Sequence, residues 1–218
     1  LTIMDHASRF LLACQSMSST NLKETQQTFE RVFREYGLPE RIRTDNGVPF
    51  ASTGRAGLSQ LSIWWLRLGI IPERIEPGRP DQNGRHERMH RTLKSTLPQP
   101  PAIPWEAQQR QFDRFMQHYN YERGHEALDQ KTPASCYSPS TRTYPEKLPE
   151  MGYASHVECY LADSNGIINR AGLRIYIANV LKHQTIGMEM ISDDDPEMPA
   201  PDGASEFVSM TKPCCGWK

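Results

Sequence analysis

No run of about 18 apolar residues occurs in the 218-residue sequence, so no segment is long and apolar enough to cross a membrane as a helix. No signal-peptide pattern is present either. The sequence begins at Leu1 inside an apolar stretch without an initiator Met, and reads as a chain entered partway through a domain. Cysteines are few and odd in number: Cys14, Cys136, Cys159, Cys214 and Cys215, with no C-x-x-C spacing. That argues against a disulfide framework and a cysteine zinc site, and fits a reducing cytosol with buried or incidental thiols. No internal repeat is visible. Net charge is only -1, which by itself points to no partner. Its distribution says more: residues 1–150 carry 20 Lys+Arg against 17 Asp+Glu, and residues 151–218 carry 5 against 9, including the run Asp193, Asp194, Asp195. Any nucleic-acid surface must therefore be a local patch.

What is present is a core-forming apolar content of 37% in a length that fits one large domain, or a medium one with a small companion. Leu1 to Met4 and Phe10 to Cys14, separated by "DHASR", read as strand, turn, strand. "SSTNLKETQQTFERVFREYG" reads as a helix with a capping box at Asn21 and Glu24, apolar residues at helical spacing and a stop at Gly37. A short strand ends in "TDNG", a second apolar helix lies in "GLSQLSIWWLRLG", and "IIPERIEPG" is short and extended. A helix is predicted from about Asn83 to Leu97, broken by "PQPPAIP", and a long one over "WEAQQRQFDRFMQHYNYER". This alternation predicts an α/β domain. From Gly152 onward short β-rich runs separated by Asn165-Gly166, Ala171-Gly172 and Gly187 predict a small all-β unit, a barrel of four or five strands. Residues 192–218 lack periodicity and are expected to be a disordered tail.

The segment "GRPDQNGRHERMHRTLK" carries two incompatible chemistries. HERMH, residues 86–90, matches the H-E-x-x-H helix of zinc peptidases. A third ligand for such a site would come from Glu106, His118 or Glu122, and the longer metzincin pattern is missing. On a helical wheel, Asn83, His90, Arg91 and Lys94 fall within about 60° of Glu87, and Met89, Leu93 and Leu97 lie on the opposite side. One stripe thus faces a core while the other presents a carboxylate among amide, imidazole and cationic groups. A lone carboxylate among cations is ordinarily a solvated salt-bridge face, and D-N-G alone is a common turn. Together, a strand-end Asp45 and a helix-borne Glu87 are how an open α/β sheet brings two carboxylates to one divalent ion shared with phosphates.

"TDNGVPF", then "PGRPDQNGRHERMHRTLK", then "YNYERGHEALDQKTPASCY" resemble, in this order, the DDE transposases of bacterial insertion sequences, relatives of the retroviral integrases. The resemblance implies an RNase H-like integrase core, a mixed sheet with flanking helices, over residues 1–142, followed by a small barrel-like β domain over 143–191. It implies catalysis of DNA strand transfer with two Mg²⁺ (or Mn²⁺) ions held by three acidic residues. Asp45 and Glu87 match the second and third of these. Asn46 and Gly47 match the turn beside the metals, and Asn46, Asn83, Arg85, Arg91 and Lys94 match positions facing DNA. DNA ends and target are the implied partners, self-association into a homo-multimer is implied, and the bacterial cytoplasm and nucleoid are the implied location.

The sequence departs from that pattern at its start. No W-x-x-D block is present, "LTIMDHASRF" resembles the second strand of the fold, and the first strand, with its Asp, is expected before Leu1. Asp5 matches instead an Asp flanking the strand-to-strand turn. The helix-turn-helix that usually precedes the core is missing too. The expectation is a truncated chain with impaired transfer. Its rival is a non-catalytic DNA-binding remnant or inhibitor of a full-length transposase, and a zinc peptidase through HERMH is a minor alternative. His125, in "RGHEAL", is expected to pack its segment against the core.

Overall fold

The computed structural model describes residues 1–17, 19, 21–45, 47–50, 57–76, 78–98, 104–149, 152–190 and 208–210. Two units form: Leu1–Phe50 with Pro72–Tyr144, and Ala51–Ile71 with Pro145–Lys218.

In the first unit, β1 (Thr2–Met4) pairs antiparallel with β2 (Leu11–Cys14), with a bulge at Ile3/Met4. The turn between them is stapled by Asp5, whose carboxylate accepts the Ser8 N–H at 2.7 Å and the Ser8 hydroxyl at 2.6 Å. Helix α1 (Leu22–Tyr36) starts where Asn21 Oδ1 accepts the Glu24 N–H at 2.8 Å, which is the Asn21 half of the expected capping box. It ends at Gly37, whose φ of +81° and contact with the Ser140 carbonyl leave no room for a side chain. Phe29, Val32 and Phe33 line its buried face at helical spacing. Strand β3 (Arg41–Thr44) pairs with β4 (Ile71–Arg74), and Glu73 bridges Arg41 at 2.9 Å and Arg43 at 3.0 Å.

A short 3₁₀ turn over Pro80–Asn83 leads into α3 (Gly84–Thr96), close to the helix predicted from Asn83. Met89 and Leu93 are its buried residues and join Leu11, Cys14, Phe115 and Tyr119 in one cluster. Each such side chain removed from water contributes about 1.5–3 kcal/mol, enough to fix which side of α3 faces in. Helix α4 (Trp105–Gln117) stops short of the predicted end, and His118–Glu122 continue as one π turn. There the buried Asn120 accepts the Leu11 N–H through Oδ1 at 2.8 Å and donates through Nδ2 to the Leu11 carbonyl at 2.9 Å. The side chain completes the edge of β2 as another strand would, and the wider turn lets it reach. A short helix, α5 (Pro133–Cys136), follows.

In the second unit, α2 (Gln60–Arg67) is capped by a reciprocal Ser59–Ser62 box. Ile63 packs with Ala162, Ile168, Ala178, Leu181, Ile186 and Met188. The β-rich segment forms β5 (Glu158–Leu161), β6 (Ile167–Arg170), β7 (Leu173–Tyr176), β8 (Thr185–Met190) and β9 (Val208–Met210). They pair as a three-stranded β5-β8-β9 sheet and a β6-β7 hairpin. β9 falls within 192–218, the remainder of which lies outside the described residues. Among the described residues the strands form four small sheets instead of one mixed sheet, and no helix is long and apolar enough to cross a membrane.

Candidate functional site

Asp45 directly follows the last residue of β3 and is exposed. Its Oδ1 accepts the Gly47 N–H at 3.0 Å, an Asx turn. A Cβ on Gly47 would sit 3.2 Å from that oxygen, so glycine lets the carboxylate fold back without crowding. Asn46, expected to shape this turn and face DNA, lies outside the described residues.

Glu87 is exposed in the first turn of α3 and makes no hydrogen bond or ion pair among the described residues. The helix start is tied to the end of β3: Arg43, two residues before Asp45, donates to the Gln82 carbonyl at 3.3 Å. Gln82 in turn accepts the Glu76 N–H at 3.0 Å. Strand end and helix start, which carry the two candidate acids, are therefore held side by side.

His86 and His90 form an imidazole pair on α3. The His86 and His90 rings meet edge to face at 4.5 Å, and both Nε2 atoms lie 2.7 Å from the Thr2 hydroxyl on β1. One hydroxyl donates once. One Nε2 therefore accepts from Thr2, and the other must carry a proton and donate to the same oxygen. Burial first, and its partner His90 next, push the His86 pKa down to about 4 against the opposing Asp45 carboxylate. Burial and the neighbouring Lys94 also lower His90, while Glu87 raises it. Both acids thus act on one imidazole pair, Asp45 on His86 and Glu87 on His90.

The Nε2 atoms of both HERMH histidines thus meet the Thr2 hydroxyl, and of the residues considered for a third zinc ligand His118 pairs with Glu122 at 3.0 Å. Among the described residues no group of three His, Cys, Asp or Glu is disposed to hold a metal ion.

The remaining candidates spread around α3. Asn83 is the N-cap but makes no side-chain cap bond. Arg91 and Lys94 are exposed on the same side as Glu87, as the wheel predicts. Arg85 is not on that stripe: it crosses to the β1–β2 turn and donates to the His6 carbonyl at 2.6 Å. Asp5 remains stapled to Ser8 within the turn. His125 packs edge to face on Tyr119 at 4.7 Å, the packing role expected of it. Sequence reasoning missed Thr2 and Asn120. The Asn in "YNYER" was a usable signal, because a polar residue among core aromatics must have a partner.

The family model described as "Integrase core domain" matches residues 68–133, a stretch that includes Glu87 and Asn120 but not Asp45. The Gag-Pol polyprotein of baboon endogenous virus (strain M7) is 33% identical over 97 residues, 44% of this chain and 5% of that protein. The Pol polyprotein of radiation murine leukemia virus (strain Kaplan) is 32% identical over 97 residues, 44% of this chain and 16% of that protein. The chain thus spans a small part of the curated relatives it matches. A chain of the simian T-cell lymphotropic virus intasome, solved in complex with PP2A regulatory subunit B56 gamma, aligns with a TM-score of 0.50 at 18% identity, over 97% of this chain and 69% of that one. At that identity the likeness bears on fold alone. Residues 68–133 thus resemble an integrase core domain, and the fold of the chain is similar to that of the intasome chain.

Proposed function

We propose that this chain is the DNA-processing core of a DDE transposase, an RNase H-like unit over residues 1–142 that acts on phosphodiesters with Asp45 and Glu87 as metal-binding carboxylates. The observation that carries this reading is the tether from Arg43 to the Gln82 carbonyl, which holds the strand end bearing Asp45 against the helix start bearing Glu87. The donor set fits a hard divalent cation such as Mg²⁺ or Mn²⁺. Both candidates are exposed carboxylates, one of which spends an oxygen on a single backbone N–H and keeps the other. Bound there, such ions would supply Lewis-acid activation of an attacking hydroxyl and charge stabilisation of the leaving oxygen. The chain's own residues orient the acids. Gly47 folds Asp45 back, and the Thr2–His86–His90 cluster fixes the roll of α3, which sets where Glu87 points. Asn46, Asn83, Arg91 and Lys94 are proposed to hold DNA backbone, contacts that position without specifying sequence.

Motif order favours the insertion-sequence branch, with TDNG, NGRHER and YNYERGHEAL in sequence. We further propose that residues 143–191 form an accessory β domain and that the chain works as a multimer on DNA ends in the bacterial nucleoid. A strand-transfer assay with Mg²⁺ or Mn²⁺ on duplex DNA tests the proposal. Weak metal-dependent nicking or joining lost in Glu87→Gln and Asp45→Asn supports it, and activity indifferent to both substitutions refutes it.

A further inference from the structure

On the flank of α3 about 100–160° round from Glu87, a second cationic cluster forms that the proposed carboxylate site does not use. Arg85 and Arg88 come from α3, His6 and Arg9 from the β1–β2 turn, and Arg123 and His125 from the chain leaving the π turn. Two sets of hydrogen bonds assemble it. Arg85 donates to the His6 carbonyl at 2.6 Å. Asn120, three residues before Arg123, grips the backbone of Leu11, two residues after Arg9. The only acid in the turn, Asp5, is spent on Ser8.

The cluster is charged beyond what folding requires. No side chain of Arg9, Arg88 or Arg123 makes a hydrogen bond or ion pair among the described residues. Among the described residues, the Arg9 Nε and the His125 Nε2 are both buried without a hydrogen-bond partner. Arg9 also holds a left-handed backbone, φ +64°, where a glycine would be relaxed; an arginine kept there at a conformational cost points to use of its side chain. The groups repel one another. Burial lowers the pKa of Arg9, and Arg85 and Arg88 add to it; burial also lowers His6, helped by Arg85 and Arg43, and lowers His125, helped by Arg123. An anion would relieve that repulsion and satisfy the orphaned Arg9 Nε–H.

We propose that Arg9, Arg85, Arg88 and Arg123 form a notch for a backbone phosphate of duplex DNA, separate from the Glu87 face of α3. Guanidinium forks from three elements suit tetrahedral oxyanions, which offer several acceptor oxygens at once. The notch rests on the proposed DNA-processing function only in naming the polyanion. It gives the helix that carries Glu87 a second hold on the DNA backbone from another side, so that DNA grips α3 from two directions.

Fluorescence anisotropy with a labelled duplex, in EDTA and over a series of KCl concentrations, tests it with the full chain. Arg88→Gln combined with Arg123→Gln is expected to weaken binding and to reduce the slope of log K against log salt by about 0.9 for each phosphate no longer neutralised. Arg88→Lys with Arg123→Lys, which keeps the charge, is expected to retain most of that slope. Wild-type affinity and slope in the Gln pair overturn the notch, and so does equal weakening in the Gln and Lys pairs. Because the assay excludes metal, it is independent of Asp45 and Glu87. A wild-type chain with no measurable duplex binding counts against the DNA reading as a whole, whereas wild-type binding untouched by the Gln pair counts against the notch alone.

Discussion

Asn120→Ala is the substitution with the largest expected effect on the first unit. Its side chain satisfies both the N–H and the carbonyl of Leu11, at 2.8 and 2.9 Å, and Leu11 is wholly buried. Truncation leaves two backbone groups without partners in the core. Each costs about 1–3 kcal/mol, so the loss is about 2–6 kcal/mol before relaxation. Against the ~5–15 kcal/mol that holds a typical domain together, this is a large fraction. At a urea m-value of about 1–3 kcal/mol/M, the midpoint should fall by about a molar unit or more, with m unchanged. Asn120→Asp separates donor from acceptor. A carboxylate still accepts from Leu11 N–H but repels the Leu11 carbonyl, so the folded state raises its pKa above the unfolded ~3.9. Stability of that variant is then highest below that pH and is lost as pH rises through the folded pKa. Stability losses below about 0.5 kcal/mol in the Ala variant, far under the 1–3 kcal/mol expected for even one orphaned group, or a pH-independent Asp variant, would refute the view that Asn120 serves as a surrogate strand.

Three further outcomes are expected. His86 titrates near 4 in the folded state and near 6.5 unfolded, so stability is full above about 6.5 and falls as pH drops toward 4; His86→Gln should remove up to about one proton's worth of that slope in urea titrations. Thr2→Val removes the hydroxyl shared by both imidazoles and should cost about 1–3 kcal/mol by thermal melting, more than a surface Thr→Val change. Glu73→Gln breaks the bridges to Arg41 and Arg43, whose hydrogen bonds hold Glu73 below the usual carboxylate range; these side chains are solvent-accessible, so the loss should stay within about 1 kcal/mol, fade in high salt, and vanish as pH falls through the folded pKa.

The elements of the first unit were legible because their signals are local. Asn21 and Gly37 bracket α1, the spacing of Met89 and Leu93 sets the face of α3, and both candidate acids sit in turns or first turns with recognisable chemistry. What the sequence hid is long-range. The partner of Asn120 lies 109 residues away, and the shared partner of His86 and His90 lies 84 and 88 residues away. The wheel put His90 with Glu87, whereas the shared hydroxyl draws it inward, and only the fold supplies that hydroxyl. Arg85 was grouped with the DNA-facing residues by resemblance, and its bond to the His6 carbonyl sets it on another flank. The long helix predicted through Arg123 ends early because Asn120 reaches β2 only from a wider turn, an effect no periodicity encodes.

The central claim, that Asp45 and Glu87 serve one cation site, is tested most directly by a double-mutant cycle on Mn²⁺ affinity followed by electron paramagnetic resonance. Asp45→Asn and Glu87→Gln should each weaken binding by tenfold or more, with the double variant little worse than either single, the signature of a shared ligand. Singles that leave affinity unchanged, or effects that add fully, would mean the two carboxylates do not act together.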